Sequence, residues 1–548
     1  MIKRKLASVA LPRTLFLLVA MQAHAQNPPD AGALQQQIDR ERQQQLPEQL
    51  APQKPAVPPP MSPPTGAVIT VAQFRFVGNT LLSAEQLAPA VADYLDRPLD
   101  FRQLQAAAAA VAEVYRAAGW IVRAYLPAQD IKDGIVTIQI VEAVFGQVRH
   151  ESPGATQVSP SRIDAIVLAR QQPGSALNAM ALDRGLLLAD DLPGVSVAAS
   201  LAAGASERET DLILTTADDA RVAGDVSIDN TGSRATGEER LNANVNLASP
   251  AGWGDLASAS LSTTEGSDYG RLAYSLPLGS DGWRAGASAS ELRYKLIEAP
   301  LDPATDRGTS TILGLDAGYP VIRSRQQNLY VNLTYDHKDF DNRLSAAPDG
   351  IASRYKMNVY SIALNGNHFD NLGGGGANSV NLTLASGHRG SGIDTTEQYF
   401  TKLRYSLSRQ QVITSELAFY LAISGQYATK NLDSAERFYL GGAYGLRAYP
   451  SGEAGGSSAY LATTELRWRA IPDLMLTGFV DSGAVRNHDN AGNNYDLSGA
   501  GIALAWKAPF GLYLNATWAA RLGENPYPAD TEESSEHHRF WLSASLPF

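Results

Sequence analysis

"LNANVNLA", Leu241–Ala248, alternates without interruption. In an extended chain Leu241, Ala243, Val245 and Leu247 fall on one face, and Asn242, Asn244 and Asn246 on the other. "LYVNLTYD" (Leu329–Asp336) repeats the pattern, with Leu329, Val331, Leu333 and Tyr335 against Asn332 and Thr334. So do "SVNLTLAS" (Ser379–Ser386), "AYLATTELRW" (Ala459–Trp468) and "LYLNATWA" (Leu512–Ala519). A soluble sandwich loads its polar faces with charge. These faces carry Asn, Thr, Ser and Gly, and Tyr and Trp sit near the strand ends. That distribution fits a transmembrane barrel, apolar toward lipid and polar toward a lumen. The 329 residues from 220 to 548, at roughly 20 per strand and turn, accommodate about 16 antiparallel strands. The final run, "RFWLSASLPF", puts Phe540, Leu542, Ala544, Leu546 and Phe548 on one face. A terminal aromatic strand is expected to present Phe548 to the barrel assembly machinery as an insertion signal.

The rest of the chain agrees with an exported protein. Lys3, Arg4 and Lys5, an apolar run from Leu15 to Ala20, and Ala23-His24-Ala25 form a signal peptide over residues 1–25. Cleavage after Ala25 removes four basic residues and no acid, taking the net charge from −11 to −15. An acidic exported chain has no electrostatic case for nucleic acid. No run is long and apolar enough for a transmembrane helix. With no cysteine among 548 residues, disulfides, thiolate chemistry and cysteine-held metals are excluded.

Ahead of the barrel lie shorter pieces. "DAGALQQQIDRERQQQL" (Asp30–Leu46) suits a polar helix with Leu34, Ile38 and Leu46 as its large apolar residues. The proline-rich residues 47–67 form an extended linker. Residues 68–143 give the order β-α-α-β-β. "VITVAQFRFVGN" is a strand, Ser83/Gln86 and Asp100/Gln103 are capping boxes, and Gly119 stops the second helix. "WIVRAYLP" and "GIVTIQIVEA" are strands joined around Asp133-Gly134. Residues 144–219 repeat that order, with helices near Ser161–Arg170 and Asn178–Leu192, so two tandem modules precede the barrel.

Catalytic motifs are absent: no H-E-x-x-H, G-x-S-x-G, G-x-x-x-x-G-K or G-x-G-x-x-G occurs. His537 and His538 would point to opposite faces of a strand and make a poor metal pair. "NHDNAGNNYD" (Asn487–Asp496) lacks calcium-loop spacing and reads as a hydrated turn. Gly373–Gly376 reads as a flexible turn. The expectation is a protein with no catalytic residues, no cofactor and no metal.

In this order the segments resemble the outer-membrane transporters of two-partner secretion, the TpsB family of haemolysin and filamentous-haemagglutinin secretion proteins. "LDRGLLLADDLPGVSVAASLAAG" (Leu182–Gly204) looks like the second POTRA signature, and "DNTGSRATGEER" (Asp229–Arg240) like the first barrel hairpin. "GLRAY" (Gly445–Tyr449) resembles the V-R-G-Y/F tip of the long sixth extracellular loop, with Leu446 for valine and Ala448 for glycine. "FVDSG" matches F-x-D-x-G through Phe479, Asp481 and Gly483. The resemblance implies a signal peptide, a plug helix (26–46), a linker, POTRA domains at 68–143 and 144–219, and a 16-stranded barrel at 220–548. It implies a pore in the outer membrane, its POTRA domains in the periplasm, passing a large TpsA-like exoprotein to the cell surface. A barrel-assembly factor of the same superfamily and a passive porin are the alternatives.

Alternation assigns the interior. In "LMLTGFVDSG", Leu474, Leu476 and Val480 face lipid, so Thr477, Phe479 and Asp481 face the lumen, where a carboxylate is affordable. In "YLATTELRWR", Leu466 and Trp468 face out while Glu465, Arg467 and Arg469 face in. The resemblance implies that the long loop folds back and that Arg447 pairs with Asp481, a task suited to a planar fork. If the family glycine has a positive φ, Ala448 in its place would cost about 1 kcal/mol.

Overall fold

The computed structural model describes residues 29–44, 68–151, 154–206, 208–297, 306–344, 351–393, 395–488, 494–527 and 536–548. The signal peptide and the linker assigned above lie outside the described residues, as do Gln45, Leu46 and the middle of Asn487–Asp496.

Sixteen antiparallel strands close into a barrel, from Val222–Asp229 to His538–Pro547. The polar and apolar faces read from the sequence are the inner and outer faces. Leu241, Leu261, Leu272, Leu315, Leu333, Leu466 and Val480 are exposed on the outside, an apolar band that only lipid can cover. Inside, polar side chains bond across strands, as in Asn242 Nδ2 to Asp229 Oδ2 at 2.8 Å and Asn328 Nδ2 to Asn367 Oδ1 at 2.9 Å. The seam is short. The last strand meets the first over five register pairs, Ser543↔Asp229 to Pro547↔Asp225. Beyond them Asn230 continues the pairing with its side chain, accepting from Leu542 N at 2.7 Å and donating to Phe540 O at 2.9 Å. Phe548 lies exposed on the outer face, its backbone paired with Gly224.

Each of the two small units carries a three-stranded mixed sheet. In the first, Gln73–Val77 runs parallel and Val122–Tyr125 antiparallel to the central strand Ile135–Glu142. Both capping boxes form, at Ser83/Gln86 and Asp100/Gln103, and Gly119 ends the long helix Phe101–Ala117 at φ +87°. The opening strand is broken: Ile69–Thr70 pairs with Pro98–Leu99 instead of joining the main sheet. Glu142 staples the turn after Val77. Its buried carboxylate accepts from Thr80 N (2.7 Å), Leu81 N (2.8 Å) and Tyr115 Oη (3.0 Å). Burial pushes its pKa up, but these bonds outweigh that and hold it below the usual carboxylate range.

In the second unit Val144–His150 and Val195–Ala203 flank Glu209–Asp218. Its helices Pro160–Leu168 and Ala179–Asp190 sit against the barrel's near rim. Arg170 grips Asp281 (2.8 Å), Arg323 grips Asp191 (2.6 Å), and Arg325 meets Asp183 (2.8 Å). These contacts fix which rim faces the small units. The long loop between Leu417–Ala428 and Ser458–Ile471 therefore starts at the far rim.

Candidate functional site: the filled lumen

Two segments occupy the barrel interior. The first is the polar helix Ala31–Gln44. Its few apolar residues, Ala31 and Leu34 with Ile38 beside them, pack on inward Leu292, Phe340, Tyr355, Met357 and Phe400. The remaining contacts are polar. Ala31 N donates to Asn342 Oδ1 (3.1 Å), Glu41 pairs with Arg240 (2.5 Å), and Arg40 donates to the Tyr439 carbonyl. Arg240 also bonds Asp229 of the first barrel strand at 3.0 Å. The helix rests directly on the long loop: a Cβ on Gly32 would fall 2.7 Å from Ala435 N. Only a residue without a side chain allows that approach.

The second segment is the loop itself. Its tip carries Leu446, Ala448 and Tyr449, all buried with Phe438, Leu440, Leu461, Phe479 and Leu497 in one apolar cluster inside the wall. Arg447 completes it. Nε lies 2.9 Å from Asp481 Oδ2, Nη2 2.8 Å from Oδ1, and the Arg447 amide 3.3 Å from Oδ2. Asp481 is 0% exposed, and Thr463 Oγ1 donates to it at 3.0 Å. Such a fork-to-carboxylate pair is the strong kind of charge-assisted bond.

Alternation brings Asp481, Glu465 and Arg467 to the same inner surface. Glu465 does more than face inward: its Oε1 takes Arg447 Nη1 and its Oε2 takes Arg467 Nε, each at 2.8 Å. Arg467 then stacks over Tyr420 and donates to Gln410 at 2.5 Å. Arg469 falls on the same side by alternation but is exposed at the strand's near-rim end, where the register shifts between Arg469 and Ile471. Phe479 lies under the Arg447 guanidinium, 3.4 Å from ring centroid to Cζ. Gly483 leaves room for Leu440, whose Cδ2 is 2.7 Å from where a Cβ would stand.

Ala448 is not strained. Its φ is not positive, so no penalty attaches to alanine there. The adjustment lies on the wall instead: a Cβ on Gly499 would sit 2.5 Å from the Ala448 Cβ. Trp541 holds the tip from another side, donating Nε1–H to the Arg447 carbonyl at 2.7 Å. Neither Gly499 nor Trp541 stands out in the sequence. A clue to Trp541 is its place on the inward face of the last strand, where serines are its neighbours. No group of metal-ligating side chains occurs among the described residues.

The sequence model of the haemolysin secretion/activation protein ShlB/FhaC/HecB matches residues 208–506, more than half of the chain, and a ShlB-type POTRA model matches residues 69–143. The heme/hemopexin transporter protein HuxB of Haemophilus influenzae strain 86-028NP is 25% identical over 503 residues, 88% of this chain and 87% of that protein. The outer membrane transporter CdiB of Dickeya dadantii is 24% identical over 480 residues, 83% and 82% of the two chains. Among solved structures, CdiB from Escherichia coli superposes with a TM-score of 0.73 at 21% identity, covering 96% of this chain and 99% of that one. BamA from Haemophilus ducreyi lacking POTRA domains 1–3 gives 0.53 at 16% identity, covering 88% and 100%, which marks a shared fold. The chain belongs to the ShlB/FhaC/HecB family of haemolysin secretion/activation proteins, and is an outer-membrane β-barrel transporter of two-partner secretion that passes an exoprotein out of the cell.

Proposed function

We propose that the chain is a gated pore for one large TpsA-like exoprotein, received unfolded at the periplasmic POTRA units. At rest its lumen is closed by the helix Ala31–Gln44 and by the Arg447 loop. The single observation that carries this reading is that both segments lie inside the barrel wall and are tied to it by buried ion pairs, Glu41 to Arg240 for the helix and Arg447 to Asp481 for the loop, beside their apolar contacts. The drive comes from the partner folding outside, a reading supported by a sequence without a nucleotide-binding motif. Phe548 serves as the signal read by the assembly machinery during insertion.

The docking edge we assign is Val195–Ala203 in the second unit, which we read as a second POTRA domain. It lies at the edge of its sheet, and its sequence VSVAASLAA holds no charge and no proline. Natural edges are usually blunted by such residues, and an extended chain can add to a bare one. Asp190 already takes the Val197 amide at 2.8 Å, which identifies the odd-numbered amides as outward. Ala199→Pro therefore removes an outward donor and leaves the internal ladder whole. With the partner co-expressed, secretion is expected to drop at least tenfold while the barrel remains heat-modifiable, the loss of one or more edge bonds being worth about 1.4 kcal/mol or more. Wild-type secretion by Ala199→Pro would remove this edge as the docking site.

A further inference from the structure

We propose that Glu436 is a second anchor of the long loop, opposite in polarity to Arg447, and that it seats the lumenal helix. At the tip the loop brings the cation and the wall brings the acids. At its root the arrangement is reversed. Glu436 is 2% exposed and is gripped by two lysines of the wall: Lys338 Nζ reaches Oε1 and Lys402 Nζ reaches Oε2, each at 2.6 Å. Those lysines stand on Gln327–Arg343 and Gln398–Val412, with two other strands between them. The carboxylate therefore bridges a wide arc of the inner surface. Lys402 and Gln426 also donate to the Glu436 carbonyl, at 2.9 and 3.0 Å.

Glu436 ends the short helix Ser434–Glu436, and this turn is what the lumenal helix rests on. Gly32 lies against Ala435, and Ser434 Oγ donates to Asp30 Oδ2 at 2.6 Å. The Gln36 amide, oriented to satisfy both neighbours, donates to Ala435 O (3.0 Å) and accepts from Arg404 (3.2 Å). Removing the acid takes the direct partner from Lys338 and Lys402, which lie close to each other and to Arg404, and leaves Asp336 and Asp39 as the nearby acids. Breaking a buried pair from one side is strongly destabilising. Asp433, one turn earlier, stays tied to Arg389 (2.8 Å) and to the Tyr355 hydroxyl (2.6 Å), so the loop root remains attached and the change falls on the seat. Glu436 is thus a positioning residue for closure, and this inference rests on the reading that the helix closes the lumen.

The chain has no cysteine, so a single Ala31→Cys reports the helix cleanly. In that background, Glu436→Gln is expected to raise the thiol-labelling rate by roughly tenfold or more, and to raise single-channel conductance toward that of a chain lacking residues 30–46. Lys402→Met leaves the Lys338–Glu436 pair balanced and should have a smaller effect. Glu436→Gln with Lys402→Met should be milder than Glu436→Gln alone, because it removes one of the two cations stranded by loss of the acid. Heat-modifiability on gels checks the barrel. If Glu436→Gln does not insert, Lys338→Met with Lys402→Met strips the same anchor and must show the same labelling gain. A folded Glu436→Gln with unchanged labelling and conductance, or no compensation by Lys402→Met, overturns the proposal. If the 30–46 deletion opens the pore and Glu436→Gln does not, the seat alone is wrong. If the deletion itself changes nothing, the closure reading falls with it.

Discussion

Arg447 and Asp481 meet through three nitrogens of one residue and both oxygens of the other, and no water-exposed atom of Asp481 remains. Loss of either side strands a buried charge. Arg447→Ala and Asp481→Asn are each expected to reduce secretion of the partner by tenfold or more, with coupling of about 0.5–3 kcal/mol, so the double variant is no worse than the worse single. Arg447→Lys should not rescue, because an ammonium cannot span Asp481 and Glu465 as a fork does. Secretion assays with surface labelling of a cysteine at position 449 check this. Additive losses would mean that the two residues act separately.

Gly499 is expected to tolerate no side chain while Ala448 is present. Its Cβ would lie 2.5 Å from that of Ala448 and 3.1 Å from the Ala520 carbonyl. Gly499→Ala should displace the loop tip at a cost of about 1–3 kcal/mol, and Ala448→Gly should restore most of it. The readout is secretion together with position-449 labelling in the four combinations. Equal defects with and without Ala448→Gly would place the clash elsewhere.

Helix seating should respond to Gly32 in the same way. Gly32→Leu drives a side chain into the Ala435 backbone, so the helix is expected to leave its place, with raised conductance and an intact barrel. Deleting residues 30–46 should give the same conductance. A closed Gly32→Leu pore would show that the helix can shift without opening the lumen.

Acid should loosen the first periplasmic unit before the barrel. The folded Glu142 carboxylate is held below its ordinary range despite burial, because the Thr80 and Leu81 amides and the Tyr115 hydroxyl bind the charged form. Its contribution is therefore complete above the unfolded value of about 4.3 and is lost as pH falls through the lower folded pKa. Glu142→Gln should remove that acid dependence and cost about 1–3 kcal/mol at neutral pH. Limited proteolysis of the full chain between pH 7 and about pH 3 follows the effect. An unchanged acid profile would rule out Glu142 as the titrating group.

Much of the architecture is legible because it follows from single strands. An alternating run with a neutral polar face needs no partner to be recognised, and Asp481, Glu465 and Arg467 are assigned inward by parity alone. What parity cannot reach is any contact made by a loop folding back. Trp541, Gly499 and the lysines holding Glu436 matter only because residues far along the chain return to them. The opening strand misreads for a related reason: "VITVAQFRF" has strand composition throughout, but Val71 O accepts from Asp96 and the ladder breaks there. At Ala448 the expectation of a glycine-like backbone fails because room came from the wall, at Gly499, rather than from the loop.

The contact between Asp30 and Ser434 spans 404 residues. The helix leaves the ribosome long before its seat exists, and the seat forms only once the strands carrying Lys338 and Lys402 have closed around the loop. If the helix closes the lumen as proposed, its docking would complete maturation rather than begin it. A newly inserted barrel would then pass through a leaky interval while the tethered segment finds its place, against a loop-closure entropy that grows only slowly with tether length. On that reading biogenesis and secretion would traverse the same open state from opposite directions, and a segment slow to dock would endanger the cell's permeability barrier at birth as much as during transport.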